Sequence, residues 1–180
     1  MFDYKEVINF WYDELDPSQW WKKDMEVDKE IERRFLGHLN AALKCELYYW
    51  RQTPLGRLAE IIVIDQFSRN LYRDSIEGFV GDPLALALAQ EAVSLGVNKE
   101  LNMAQKTFLY MPYMHSESLA IHDVSVELHS EEGLEVRLHW EHKHRDIIVK
   151  FDRYPHRNEI LGRESTAEEL TFLNQPGSSF

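Results

Sequence analysis

The chain has 180 residues, the size of one ordinary domain or at most two small ones, and it can bury a sizeable core. Its 31 Asp and Glu residues outnumber 20 Lys and Arg, and the resulting net charge of −11 excludes a general affinity for DNA or RNA backbones. The single Cys45 excludes an internal disulfide and a four-cysteine zinc site. No apolar run reaches the ~20 residues that span a bilayer, and we see no secretion signal, so we expect a cytoplasmic protein without membrane or nucleic-acid partners.

Helical patterns follow one another along the chain, marked by apolar stripes, capping residues and proline at first helical positions. The predicted helices lie near 3–14, near 27–45, from Pro54 past Asp65, from Pro83 to Gly96, near 101–110, 116–130 and 134–153, and after Thr166. No segment is a convincing strand, and no linker rich in Gly, Ser or Pro divides the chain. The patterns therefore predict a single all-α domain over residues 1–180 with about seven to eight helices.

A carboxylate and a guanidinium continue the apolar stripe of the third long helix. Asp65 and Arg69 lie four residues apart on this stripe, so they are predicted to point inward and pair, and Arg73 follows one turn later. A structural ion pair between helices and a polar site both explain this pattern.

His144 falls on the apolar stripe that Trp140 and Ile147 define within 134–153. Such a residue is either a hydrogen-bonded core histidine or a ligand contact or catalytic base. The same predicted helix leads directly into a polar segment, and this favours a ligand contact or a catalytic base.

That polar segment spans 149–163 and combines guanidinium, imidazole and amide groups. The residues that carry these groups are Arg153, His156, Arg157, Asn158 and Arg163. The surrounding stretch 134–163 has a local net charge of about +2 within an otherwise acidic chain, so an anion is attracted to it.

The segment from Tyr110 to Glu117 contains Pro112, which predicts the end of one helix and the start of another. His115 and Glu117 are then expected near a helix N-terminus, where backbone N–H groups favour an anion. A simple helix cap at Ser116 or Glu117 is the alternative.

Two partial metal motifs occur. His115 and Glu117 have the spacing of half a zinc deaminase site, but Cys45 alone cannot supply the cysteine half. Glu141 and His144 have the Glu-x-x-His spacing of di-iron bundles, but a second such pair is missing. We therefore expect no metal site and no cofactor, and the P-loop and GxGxxG signatures are also absent.

A series of motifs runs through nearly the whole chain in a specific order. They include Asp65-Gln-Phe-Ser-Arg69-Asn-Leu-Tyr-Arg73, Phe108-Leu-Tyr-Met-Pro112, His115-Ser-Glu117 and Phe151-Asp-Arg-Tyr-Pro-His-Arg-Asn158. Together they resemble a largely bacterial family catalogued as domain of unknown function nine-twenty-four. The resemblance implies an all-α fold similar to tetratricopeptide-like (TPR-like) helical superhelices and no established activity.

The polar residues that match the family's motifs form a candidate ligand-binding set, and we infer that they meet in one place. They are Asp65, Arg69, Arg73, His115, Glu117, His144, Arg153, His156, Arg157, Asn158 and Arg163. The chain departs from the family pattern at three positions: Ser68 replaces a usual Pro, Asp152 a usual Gly and His122 a usual Gln. None of these departures removes a matched Arg or His.

Three functional hypotheses follow. The first is a binding module whose Arg, His and carboxylate groups hold a small anionic ligand or an acidic peptide. The second is a hydrolase or transferase acting on a phosphorylated or carboxylated small molecule, with His144 or His156 as catalytic base. The third is a structural protein in which a buried polar network locks the helices and a protein partner binds elsewhere. Whether the protein is an enzyme stays open.

Overall fold

A computed structural model describes residues 1–178, and the described chain is all-α. The fold class is therefore as predicted, and no strand occurs in this range. The chain divides into two compact units, a first unit of Met1–Pro112 and a second unit that begins at Tyr113. The single domain and the TPR-like superhelix stay predictions. No helix within residues 1–178 is both long and apolar enough to cross a membrane.

The first unit contains most of the predicted helices. They are α1 (Tyr4–Asn9), α2 (Met25–Ala42), α3 (Pro54–Ile62), α4 (Ser68–Leu71), α5 (Asp82–Ser94) and the start of α6 (Met103–Met114). Side chains before α1, α2 and α3 accept hydrogen bonds from backbone N–H groups of the first turns. These caps explain why the helices begin where the sequence predicted.

Two π-helical turns interrupt the regular helices of the first unit. Phe10–Glu14 continues α1, and Val63–Phe67 joins α3 to α4. Each turn delivers an aromatic ring to the core, where the Phe35 ring lies 5.1 Å from Phe10 and 5.0 Å from Phe67. The sequence predicted a continuous third helix, and the π-turn preserves that continuity while it carries one extra residue per turn.

α6 corrects one prediction. The helix does not end at Pro112 but continues through it to Met114. Proline removes one backbone hydrogen bond, but Phe108, Leu109 and Tyr113 are all buried, and their burial favours continuing the helix. His115 therefore follows a helix C-terminus.

The second unit contains α7 (Leu119–His129), α8 (Glu135–Phe151) and α9 (Ala167–Leu173), and α7 packs against α8. Its hydrophobic core includes Ile147, Ile148 and Tyr154. The predicted inward position of Trp140 is wrong, because this side chain is 38% exposed. The buried stripe of α8 instead passes through Glu141 and His144 to Ile148. Two polar side chains, Glu141 and His144, thus occupy positions on α8 that apolar side chains would normally fill.

Candidate functional site

The candidate residues divide between the two units. Asp65, Arg69 and Arg73 belong to the first unit. The others belong to the second unit and are His115, Glu117, His144, Arg153, His156, Arg157, Asn158 and Arg163.

In the first unit, the predicted pairing of Asp65 and Arg69 is confirmed. Arg69 Nη1 lies 3.2 Å from Asp65 Oδ1, and its Nη2 lies 2.9 Å from Asp82 Oδ2. The guanidinium thus joins the π-turn before α4 to the first turn of α5. Arg73 takes a different partner and donates two hydrogen bonds to Asp28 of α2, at 2.6 and 2.8 Å. These arginines hold helices of the first unit together.

Arg153 of the second unit makes a bidentate ion pair with Glu169 at 2.6 and 2.8 Å. These hydrogen bonds, with a smaller contribution from the Asn158 side chain, lower the pKa of Glu169 to about 2. Glu169 also completes the capping box of α9 by accepting from the Thr166 N–H at 2.7 Å. The pair therefore ties the end of α8 to the start of α9.

Glu117 links two parts of the polar segment. It accepts from Arg163 at 2.7 and 2.9 Å and from the Tyr154 backbone N–H at 2.7 Å. Burial raises the pKa of Glu117, but these hydrogen bonds outweigh it and leave the pKa below its ordinary value. Glu117 is thus a carboxylate at neutral pH. The helix cap considered for it from the sequence is not its role, since its bonds go to the polar segment.

Basic side chains surround the Tyr154 ring. Arg157 Cζ lies 4.6 Å from the ring centroid, and the rings of His156 and His144 lie 5.5 and 5.8 Å away. His115 lies near enough to His144 to lower the pKa of that imidazole. We call these residues, His115, His144, Tyr154, His156 and Arg157, the Tyr154 cluster. The structure thus brings together part of the candidate set within the second unit.

His144 is buried and neutral. Burial is the main cause that lowers its pKa to about 3, with smaller contributions from the imidazoles of His115, His122 and His156. Its Nδ1 lies 2.8 Å from the Trp140 carbonyl oxygen, which accepts only, so Nδ1 carries the proton. The depressed pKa therefore reflects mainly the burial of the imidazole.

A family comparison identifies the relatives of this fold. The sequence profile of the bacterial proteins of unknown function named DUF924 matches residues 7–177. The chain belongs to this family. A solved protein of unknown function from Agrobacterium tumefaciens is 34% identical, covers 95% of this chain and 96% of its own, and superposes with a TM-score of 0.91. Among curated proteins, none matches.

In this DUF924 chain, the second unit also has a buried pair that sequence reasoning missed. His122 of α7 and Glu141 of α8 are both fully buried, with Nδ1 and Oε1 2.6 Å apart. The two residues lie 19 positions apart, so local spacing cannot connect them. The helical spacing of Glu141, His144 and Ile148 was the signal in the sequence that could have placed Glu141 on the buried face of α8.

Two open depressions lie elsewhere in the described chain. One, of about 390 Å³, lies beside Arg153 and Glu169, and the other, of about 370 Å³, lies beside Asp28 and Arg73. Among residues 1–178, no three His, Cys, Asp or Glu side chains are grouped as a metal site.

Proposed function

We propose that this DUF924 protein is a binding module whose second unit takes a small anionic ligand, a phosphate or carboxylate group, at the Tyr154 cluster. The observation that carries the proposal is the concentration of imidazole and guanidinium groups around one tyrosine ring. The Arg157 guanidinium beside this ring carries a positive charge that attracts a negative ligand. Guanidinium and imidazolium groups form the strong, charge-assisted hydrogen bonds that hold carboxylate and phosphate oxygens.

Ligand contact is assigned to a smaller group than the sequence suggested. Arg153 and Arg163 each hold a carboxylate through two hydrogen bonds, so their first role is structural. Arg157, His115 and His156 are the donors proposed to reach the anion. Phosphate and the acidic end of a peptide both present anionic oxygens to such donors. A cytoplasmic location is part of the same proposal.

Binding to orthophosphate, acetate and a tetra-glutamate peptide, measured by titration calorimetry at pH 7, tests this function. Arg157→Gln removes the guanidinium beside Tyr154, and we expect it to weaken binding by at least tenfold, as loss of a charge-assisted contact does. Arg145→Gln is the matched control, because Arg145 lies on α8 and pairs with Asp123 at the surface. Equal binding by a folded Arg157→Gln variant would contradict the proposal.

A second candidate is a structural role with a separate protein partner. The bidentate pairs of Arg153 with Glu169 and of Arg163 with Glu117 favour it, because they connect segments of the second unit. In that case the anions produce no heat of binding, while Arg163→Gln lowers the melting temperature. Catalysis with His144 as base is less well supported, since a pKa of about 3 makes it a weak base at neutral pH.

A further inference from the structure

The buried pair of His122 and Glu141 contacts the Tyr154 cluster through the Tyr154 hydroxyl, which lies 3.2 Å from His122 Nε2. His122 Nδ1 lies 2.6 Å from Glu141 Oε1, and both side chains have no exposed surface. Within residues 1–178, Glu141 Oε2 accepts no hydrogen bond, so His122 is the partner that balances this carboxylate. A distance this short is typical of a charge-assisted hydrogen bond.

The oxygens around Nε2 fix the first ring proton of His122. Nε2 lies 2.9 Å from the Ser116 carbonyl oxygen and 3.2 Å from the Tyr154 hydroxyl. The Tyr154 hydroxyl donates its only hydrogen to the Met114 carbonyl at 2.6 Å. Both oxygens therefore require a donor at Nε2. A second proton lies between Nδ1 and Glu141.

We propose that Glu141 holds His122 as an imidazolium, and that this buried cation positions Tyr154 for the anion site. The inference deepens the proposed function and rests on it. The imidazolium donates a hydrogen bond to the Tyr154 hydroxyl. The ring of Tyr154 in turn contacts the Arg157 guanidinium and the His156 ring.

His122 lies close enough to His144, and Glu141 close enough to His129, for the charges of these groups to interact. Besides each other, the titratable groups that interact with the two residues of the pair are His144 on α8, His129 on α7 and Tyr154 from the polar segment.

Glu141→Gln tests the proposal with little change of shape. In this variant His122 keeps its Nε2 proton, while Nδ1 accepts a hydrogen bond from the new amide. We expect nitrogen NMR of the wild-type protein at pH 7 to report two protonated ring nitrogens for His122, and one in Glu141→Gln. Orthophosphate affinity at pH 7 should fall about fivefold, the difference between a charged and a neutral hydrogen bond.

Asp146→Asn is the matched control, because it makes the same chemical change at an exposed position of α8. It should leave both the His122 spectrum and phosphate affinity unchanged. His122→Gln is a second variant that keeps an N–H donor and removes the charge, and it should weaken phosphate as Glu141→Gln does.

The outcomes separate the two proposals. A single protonated nitrogen on wild-type His122, or unchanged phosphate affinity in both charge-removing variants, would overturn the role of the pair. The wild-type spectrum decides the protonation state even if a variant fails to fold. Absence of any anion binding by the wild-type protein, with an imidazolium spectrum intact, would instead reject the proposed function and the role of the pair in it.

Discussion

Asp152 ends α8 in a conformation that favours glycine. Its φ is 58°, in the left-handed region, and its N–H bonds to the Ile148 carbonyl. Relatives of this chain are expected to carry Gly at this position, and the backbone explains why, since Gly adopts the left-handed region without steric cost. We expect Asp152→Gly to raise the free energy of unfolding by about 0.5–1 kcal/mol in urea titrations.

Gly162 provides the reverse change as a control. Its φ is +65°, and an added Cβ would meet no atom within 4 Å, so only the backbone conformation is at stake. Gly162→Ala should therefore destabilise by about 1 kcal/mol. A loss of stability in Asp152→Gly would mean that the Asp152 carboxylate stabilises the fold by more than its left-handed backbone conformation destabilises it.

Individual residues also mark how far the sequence could predict the site. Asp65 and Arg69 pair as predicted, because a spacing of four within one helix is local information. The partners of Arg153 and Arg163 could not be predicted, since they lie 16 and 46 positions away. Position-specific pairing across such distances depends on tertiary packing.

At the scale of elements, a buried ion pair joins the short helix Tyr48–Gln52 to α3. Arg51 donates two hydrogen bonds to Glu60, each at 2.7 Å, and Glu60 has no exposed surface. Removing one partner leaves the other charge buried. We expect Arg51→Met to lower the free energy of unfolding by about 3 kcal/mol, measured by urea unfolding followed by circular dichroism.

Arg33→Met is the control for this change. Arg33 pairs with Glu30 on the surface of α2, where solvent screens the interaction. Its loss should produce little change in the urea midpoint. Similar midpoints for both variants would show that Glu60 finds another donor or takes up a proton.

The elements themselves were predicted better than their details. Caps and apolar stripes located the helices, including the capping box of Thr166 and Glu169. The two π-turns and the passage of α6 through Pro112 were not predicted. Local propensity opposes both, and burial of neighbouring aromatic side chains overrides it.

On the scale of the whole molecule, the site was predicted only as a set of residue types. The polar segment after α8 does hold basic groups around Tyr154. The carboxylates that pair with its arginines were not all foreseen, and Glu141 was considered only as half of a metal motif. An acidic chain can thus contain a local basic cluster whose partners become visible only in the folded structure.

Buried histidines make the stability of the molecule depend on pH. Burial lowers the pKa of His38, His129 and His144, the last to about 3. The unfolded chain protonates these residues near pH 6.5, so below that pH it binds more protons than the folded protein. Stability is therefore fully present above pH 6.5 and falls as the pH drops. His144 alone should cost about 2 kcal/mol at pH 5.

Urea unfolding at intervals between pH 8 and pH 5 measures this slope. His144→Gln should flatten it, whereas His139→Gln, at an exposed position of the same helix, should not. Below pH 4.5 the lowered pKa of Glu117 and Glu169 adds a further loss, because stability from a depressed carboxyl pKa disappears as pH falls towards its folded value, about 2 for Glu169. A wild-type slope equal to that of His144→Gln would show that His144 protonates in the folded protein as readily as in the unfolded chain.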